Sequence, residues 1–401
     1  MSLRTKIRIL CLAVGAVTCL SACLPKPQNS GIADYEEITE VFTPATDNGE
    51  NGEIGQKYSA LSALVASGET VIAATDADFE YKEISGGVKI TKYTGEYKSE
   101  EKDDYIILSI PETIEGKSVV SIGKEAFNIV AHLDAVIIPD SVTKIESMAF
   151  YGCNYLTYVS LGENTKTIGE YAFAMCPSLY SIDLSSVESI ELGAFIGCDS
   201  MNTVTLSFIG GGSDESAYLG YIFGATGVEF NKEFVPDSLR NIILSDKVSK
   251  ISDLAFYNCQ YITAVVIPDS VTSIGVRAFY KCRSLVEIDT GNGVKTIADD
   301  AFFGCDSLKS IKLGAALENL GMQAFLGCTV LEKVELPETL SEIKVSTFYG
   351  CTALKEVDLA NVKTVGKDAF GRCEALTPPD ISRVESIAEG NDKLYNPEDE
   401  K

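Results

Sequence analysis

Residues 267–290 read IPDSVTSIGVRAFYKCRSLVEIDT, and the same order of apolar, glycine and turn-forming residues returns along most of the chain. Val271 and Ile274 are matched by Val142 and Ile145, and again by Leu340 and Ile343. Leu285 and Ile288 are matched by Leu156 and Val159, and by Leu308 and Ile311. The most constant part is AFYGC at 149–153, which returns as AFAMC, AFIGC, AFYNC, AFYKC, AFFGC, AFLGC, TFYGC and AFGRC. With Phe127 included, the repeated phenylalanines are Phe127, Phe150, Phe173, Phe195, Phe256, Phe279, Phe302, Phe325, Phe348 and Phe370. Their spacings are 23, 23, 22, 61, 23, 23, 23, 23 and 22 residues. A fixed period of ~20–30 residues marks a solenoid, whose coils are too small to bury an apolar face alone and close their core by stacking.

Within one unit the pattern LxxVxL alternates and uses β-branched residues, which predicts a short strand. IPDSV places proline and aspartate at a turn. VTSI predicts a second extended stretch. GxxAFxxC predicts a helical or 3-10 segment of one to two turns, with Ala, Phe and Cys on one inner face. The 61-residue interval holds AYLGYIFG at 217–224, which puts Phe223 in the phenylalanine place and divides the interval into 28 and 33. The extra residues fall in loops around FIGGGSDES (208–216) and ATGVEFNKEF (225–234), after which VPDSLRNIIL resumes the pattern. Eleven phenylalanine-bearing coils result, with a partial one at ISRVESIA (381–388).

The unit IPxSVTxIGxxAFxxCxxLxxVxL resembles the BspA-like, or treponemal-type, leucine-rich repeat. The opening FEYKEISGGVKITKYTG and IPETIEGKSVVSIGKEAF resemble that family's usual first coils, so the match covers roughly residues 79–388. The resemblance implies an α/β-type solenoid: right-handed and gently curved, with a parallel sheet on one face and short helical or irregular segments on the other. It also implies a bacterial surface protein that attaches to host proteins or to other cells. The unit departs from the common leucine-rich pattern, since Pro268, Gly314 or Ser185 follows the strand where Asn or Cys is usual. An asparagine ladder and a deep horseshoe curvature are therefore not carried over.

The chain's beginning predicts export. Arg4, Lys6 and Arg8 precede the apolar run LCLAVGAVTCL, and LSAC follows. A charged start, a short apolar core and small residues form a secretory signal over residues 1–22. Leu20, Ser21, Ala22 and Cys23 resemble a bacterial lipobox. That resemblance implies cleavage before Cys23 and lipid on its sulfur and new amino group; an ordinary secretory cleavage after Ala22 is the alternative. Lipid of two or three chains suffices for stable anchoring. Residues 23–55, rich in Pro, Gly, Asn and Glu, read as a flexible tether. Residues 56–120 read as an N-terminal segment and capping coils, with Leu61, Leu64, Val65, Val71 and Ile72 suggesting a short helix and then a strand. The solenoid proper spans 121–388, its two enlarged coils lie at about 196–256, and 389–401 is an acidic tail.

The 401 residues include 58 acidic and 33 basic side chains, a net charge of −25 that argues against nucleic acid as a partner. Nine of the twelve cysteines hold one place in the coil: Cys153, Cys176, Cys198, Cys259, Cys282, Cys305, Cys328, Cys351 and Cys373. Disulfides are open to an exported protein. An odd number, one stacked column and apolar neighbours favour buried free thiols instead. Metal ligands converge from different directions, which a column does not provide, so neither metal nor cofactor is expected. His132 is the only histidine and falls at a turn position that is Tyr155 or Ser178 in other coils, so no Ser-His or Cys-His pair forms without it. A non-enzymatic protein is expected.

What remains is surface. Residues between the apolar ones of each strand point outward in two columns. The first is Ala135, Tyr158, Ser181, Thr203, Ala264, Glu287, Ser310, Lys333 and Glu356; the second is Ile137, Ser160, Asp183, Thr205, Val266, Asp289, Lys312, Glu335 and Asp358. The N-terminal half is small and hydroxylated, and the C-terminal half is charged. Two readings stay open: a solvated sheet kept soluble by cross-strand charges, or a ligand face. The candidate ligand residues are Tyr158, Asp183, Glu287, Asp289, Lys312, Lys333, Glu335, Glu356 and Asp358. The long coils at 207–236 offer Phe208, Tyr218 and Tyr221 as exposed aromatics. The expected function is adhesion: a lipoprotein on the cell surface, in the outer membrane if there are two, binding host matrix protein or another cell. The alternative is an envelope-organising lipoprotein that faces the periplasm.

Overall fold

The computed structural model describes residues 50–68, 71–95, 105–212 and 216–394. The signal, Cys23, most of the tether and the end of the acidic tail lie outside the described residues.

Each coil contributes one strand of two to four residues to a parallel sheet of 12 strands. The sheet begins with Val71–Ala73 and Ile107–Ser109 and ends with Lys333–Glu335 and Glu356–Val357. Its register is one coil per step: Ala264 pairs with Glu287, Glu287 with Ser310, and Ser310 with Lys333. The middle residue of each strand, such as Val136, Val159 and Val204, is buried, while its neighbours face outward. The VTSI stretch forms two-residue strands, such as Thr167–Ile168 and Ser273–Ile274, in further parallel ladders.

Between the two strand stretches the core is filled by one phenylalanine per coil. All eleven, Phe223 included, are fully buried. Phe127, Phe150, Phe173 and Phe195 stack at centroid distances of 4.7, 5.1 and 5.6 Å. The stack resumes from Phe256 to Phe370 at 5.0–5.4 Å. Burying one such side chain contributes about 1.5–3 kcal/mol, and the column adds to the Leu, Ile and Val side chains buried in each coil.

The AFxxC segment keeps the three-residue bonds of the helical or 3-10 segment expected, but only at every second amide, so it is a run of turns on the irregular face of the solenoid. The Ala149, Tyr151 and Cys153 amides bond three residues back within the coil, but those of Met148, Phe150 and Gly152 donate to Glu170, Ala172 and Ala174 of the next coil. Half the amides are thus committed between coils, so no i to i−4 ladder can form. Met148 and Gly152 have φ of 56° and 71°, and the same two places are left-handed at Arg277 and Lys281. Glycine stands at the second place in five coils, where it meets no steric cost.

The enlarged coils are accommodated on one side only. The main sheet passes directly from Thr203–Leu206 to Asn241–Leu244. The second ladder stops at Ser189–Ile190 and resumes where Ile251 bridges Ile274. The second insertion is structured: Val228–Phe230 is a 3-10 turn and Asn231–Phe234 a short helix. Asn231 is buried, accepts from the Gly220 amide at 2.9 Å and donates to the Tyr257 carbonyl at 3.0 Å.

Both ends of the core are capped. The antiparallel hairpin Phe79–Ile84 and Gly87–Tyr93 lays Tyr93 on Phe127 at 5.2 Å and tethers Lys89 to Glu146 at 2.7 Å. At the other end Asn391 replaces the missing next coil. Its Oδ1 accepts from the Phe370 amide at 2.9 Å, and its Nδ2 donates to Ala388 and Gly366. The expected tail from 389 therefore starts as a cap, with Leu394 buried.

The tether expected over 23–55 also ends early. Helix α1 runs from Glu50 to Ser67 and lies across the outward face of the first strands of the main sheet.

Candidate interaction surface

The charged half of the sheet face is largely occupied with itself. Lys312 Nζ lies 2.9 Å from Asp289, one strand back, and Lys333 Nζ lies 2.6 Å from Glu335 on its own strand. The hydrogen bond from Lys333, with its charge, holds the Glu335 carboxyl below its ordinary value, and Glu335 raises Lys333 in return. All four side chains are more than half exposed, so water and salt screen them. The aspartates have a local task. Asp183, Asp289 and Asp358 each accept from the amide two residues on (Ser185, Gly291 and Ala360) at 2.9 Å. These bonds shape the turn that leaves the strand. Glu287 is half-buried and Glu356 exposed on the same column. The strand at 241–244, absent from the two columns above, adds Asn241 between Thr203 and Ala264 and Ile243 between Thr205 and Val266.

The N-terminal half is not an open face. Leu61 of α1 is fully buried against Ile107 and Ala135, with Leu64, Val65, Tyr105, Ile137 and Tyr158 packed around them. Lys57 Nζ reaches Asp134 at 2.6 Å and the Tyr155 carbonyl at 3.2 Å. The Tyr58 ring sits 5.5 Å from Tyr158 and 5.2 Å from Tyr180. Tyr158, expected to meet a ligand, meets Tyr58 instead. The hydroxylated positions expected to be open, Ser181, Thr203 and Thr205, are buried.

In the enlarged coils the exposed aromatics are not those expected. Phe208 and Tyr221 pack against the core. Tyr218 donates its hydroxyl to the Ala225 carbonyl at 3.0 Å and meets Tyr221 edge-on. Phe230 and Phe234 are instead 41% and 38% exposed. Their four-residue spacing puts them on one side of a helical turn, and that spacing was the available signal. A second surface feature is the stack of half-exposed Tyr257, Tyr280 and Phe303 at 5.1 and 4.7 Å along the turn edge, with Arg277 and Lys281 over Tyr280.

The nine coil cysteines are free and buried. All but Cys259 point at the preceding coil: Cys176 donates to Phe150, Cys282 to Phe256 and Cys305 to Phe279 at 3.1–3.2 Å, whereas Cys259 meets Tyr257 of its own coil. Burial pushes Cys328 and Cys373 up to about 12, so the thiolate form needed for nucleophilic work is suppressed. His132 is exposed with φ 61° and stacks on Tyr155 at 5.0 Å, as a surface turn residue would.

Residues 107–210, 231–330 and 272–390 match the family described as BspA type leucine rich repeat region, in six copies. Among solved structures, the chain is similar to a leucine-rich cell surface protein of Faecalibacterium prausnitzii, at 28% identity over 82% of this chain and 94% of that one, with a TM-score of 0.37. It is similar to a leucine-rich repeat protein of Bacteroides ovatus at 22% identity, covering 75% and 92% of the two chains, with a TM-score of 0.31. It is also similar to the pneumococcal vaccine antigen PcpA at 20% identity, covering 79% and 82%, with a TM-score of 0.32. No curated protein matches the chain. The repeat, its phenylalanine column and its turn geometry account for a match spanning well over half the residues, and the chain belongs to the BspA type leucine-rich repeat family.

Proposed function

We propose that this protein is a non-enzymatic protein-binding solenoid, anchored by lipid on Cys23 at the outer surface of a bacterial cell, where it attaches to host matrix protein or to another cell. One observation carries this reading. The inward positions repeat from coil to coil, whereas the open outward positions on the same strands change from Glu287 to Ser310 to Lys333, and from Asp289 to Lys312 to Glu335. A sheet that only had to stack could repeat on both faces; a varied outward face over a uniform core suits recognition. The protruding Phe230 and Phe234 support it, as exposed aromatics are the side chains that anchor interfaces.

The mature protein should be screened for binding to purified matrix proteins and to whole cells, with Phe230→Ser/Phe234→Ser as the comparison. These two substitutions serve better than removing 207–236, which would take Phe223 out of the core. Binding that the double substitution weakens supports the reading; a chain that binds nothing in the screen opposes it. The envelope-organising alternative draws support from the internally paired charges of the C-terminal face. Protease treatment of intact cells separates the two, because an external protein is cleaved and a periplasmic one is spared.

A further inference from the structure

We propose that the sheet face beneath α1 is a docking site for a helical segment of a partner protein, and that α1 occupies it in cis as a removable substitute. The proposal rests on the protein-binding reading above and gives it a location and a partner chemistry.

The covered face differs from the rest of the sheet. Ile107 and Ala135 form an apolar floor, Tyr158 and Tyr180 stand beside it, and Asp134 sits at the rim with its side chain only 13% exposed. Aromatic side chains around an apolar floor, with one shielded charge, make up the centre of a typical protein interface. On the C-terminal half the two lysines, Lys312 and Lys333, are each paired with a carboxylate of the same face.

Helix α1 shows what fits there. Lys57 meets Asp134, Tyr58 lies against the two tyrosines, and Leu61 fills the floor. Residues three and four apart share a helix face, so a basic residue, an aromatic next to it and a leucine four after the basic one present the whole set at once. A partner helix with that order can replace α1 group for group.

Helix α1 is also a weak occupant. It carries Gly52, Gly55, Ser59 and Ser62 in its interior, and a helix of this length is marginal in water without packing. At Gly55 a Cβ would stand 3.1 Å from the Tyr180 hydroxyl, so the glycine lets the helix approach that ring. The phenylalanine column does not pass through α1, so the helix can lift while the solenoid stays intact. Elements held by few buried groups open ahead of the core. An incoming helix then competes with α1, and its apparent affinity is lowered by the closed fraction.

The test uses the full chain and a fluorescein-labelled peptide of residues 50–68 as the probe. Leu61→Asp in the chain, which disfavours its own α1 without touching the face, should tighten peptide binding by ~10-fold or more over the unaltered chain. Adding Asp134→Asn should reverse most of that gain, and a peptide carrying Lys57→Glu should bind poorly. Tyr58→Ala is the second release variant, should Leu61→Asp impair folding. In the unaltered chain, hydrogen exchange should be faster for the amides of 57–64 than for Val159. The proposal is overturned if a folded release variant binds the peptide no better than the unaltered chain, or if α1 exchanges as slowly as Val159. The probe comes from this chain, so a failed matrix screen and a failed peptide assay are separate results.

Discussion

The Sγ of Cys282 lies 3.1 Å from the carbonyl oxygen of Phe256, one coil earlier in the stack. Equivalent contacts join Cys153 to Phe127 and Cys373 to Phe348, and the exception is Cys259, which follows the enlarged coils and turns to the Tyr257 carbonyl of its own coil. The cysteine is thus a small apolar filler that also satisfies a carbonyl beside the phenylalanine column. Its position explains why the pair F-x-x-C recurs, since one residue fills the core and the other joins adjacent coils.

Thiol titration follows from this. The native protein should react with very little of a thiol reagent at pH 8, and the denatured, unreduced protein should show close to nine free thiols. A count near one would mean that neighbours pair as disulfides. Alkali should also destabilise the fold. Burial raises Cys198, Cys259, Cys282, Cys305, Cys328, Cys351 and Cys373 above the ordinary value of 9.0. Below pH 9 both states keep the proton and nothing is lost. Above it the unfolded chain ionises first and binds fewer protons, so stability falls as pH rises toward the folded values, by about 1.4 kcal/mol per pH unit for each such thiol. Melting temperature measured from pH 7 to 11 should bend downward near 9, and Cys282→Ala should soften the bend.

Phe279 stacks 5.0 Å from both Phe256 and Phe302. Truncation to alanine should cost about 3–5 kcal/mol through lost burial and a cavity. Coils touch only their neighbours, so a lesion at mid-stack should partly uncouple the two sides. Calorimetry should show a lower, broader or divided transition. One unchanged transition would show that the stack is not what couples the coils.

The Lys89–Glu146 pair ties the N-terminal hairpin to the solenoid. Burial acts to raise the Glu146 carboxyl, but bonds from Lys89 and the Lys124 amide outweigh it, and the group ends below its ordinary value of 4.5. A depressed carboxyl contributes stability that is present above its unfolded value and lost as pH falls through the folded one. Hydrogen exchange of the hairpin amides should therefore accelerate below pH 4.5, and Glu146→Gln should abolish that pH dependence while leaving the Phe302 region unaffected.

Asn391 accepts the Phe370 amide, which in the preceding coils bonds to a backbone carbonyl of the next coil, as Phe348 does to Ala369. Asn391→Ala strands a buried donor, at a cost of about 1–3 kcal/mol. The C-terminal coil should fray first, visible as faster exchange around 364–373 and earlier proteolysis there. Uniform protection along the stack would contradict the capping role.

Much of this was legible in advance because a repeat reports itself. Phe223, standing in a coil with neither the usual spacing nor the cysteine, was identifiable from AYLGYIFG alone, and it is as buried as Phe150. The strand registers followed from the period. The turn is only half legible, since AFxxC has the composition of a short helical or 3-10 segment and keeps its three-residue bonds at every second amide. Only the neighbouring coil's carbonyls, which draw every second amide outward, forbid a helix there. The aromatics of the enlarged coils were misassigned for a related reason. Phe208 and Tyr221 fold back on the core and Phe230 and Phe234 do not, a choice made by how the insert packs.

The sequence by itself determined the solenoid, its period, its inner column and the place of its interruption, because burial of a small coil's apolar face admits one solution, stacking. The tertiary structure alone decided which outward face is open. Helix α1 has no repeat partner and few strong helix signals, and its place over Tyr158 depends on Ile107, Ala135 and Tyr180, residues of separate coils brought together only when the coils have stacked.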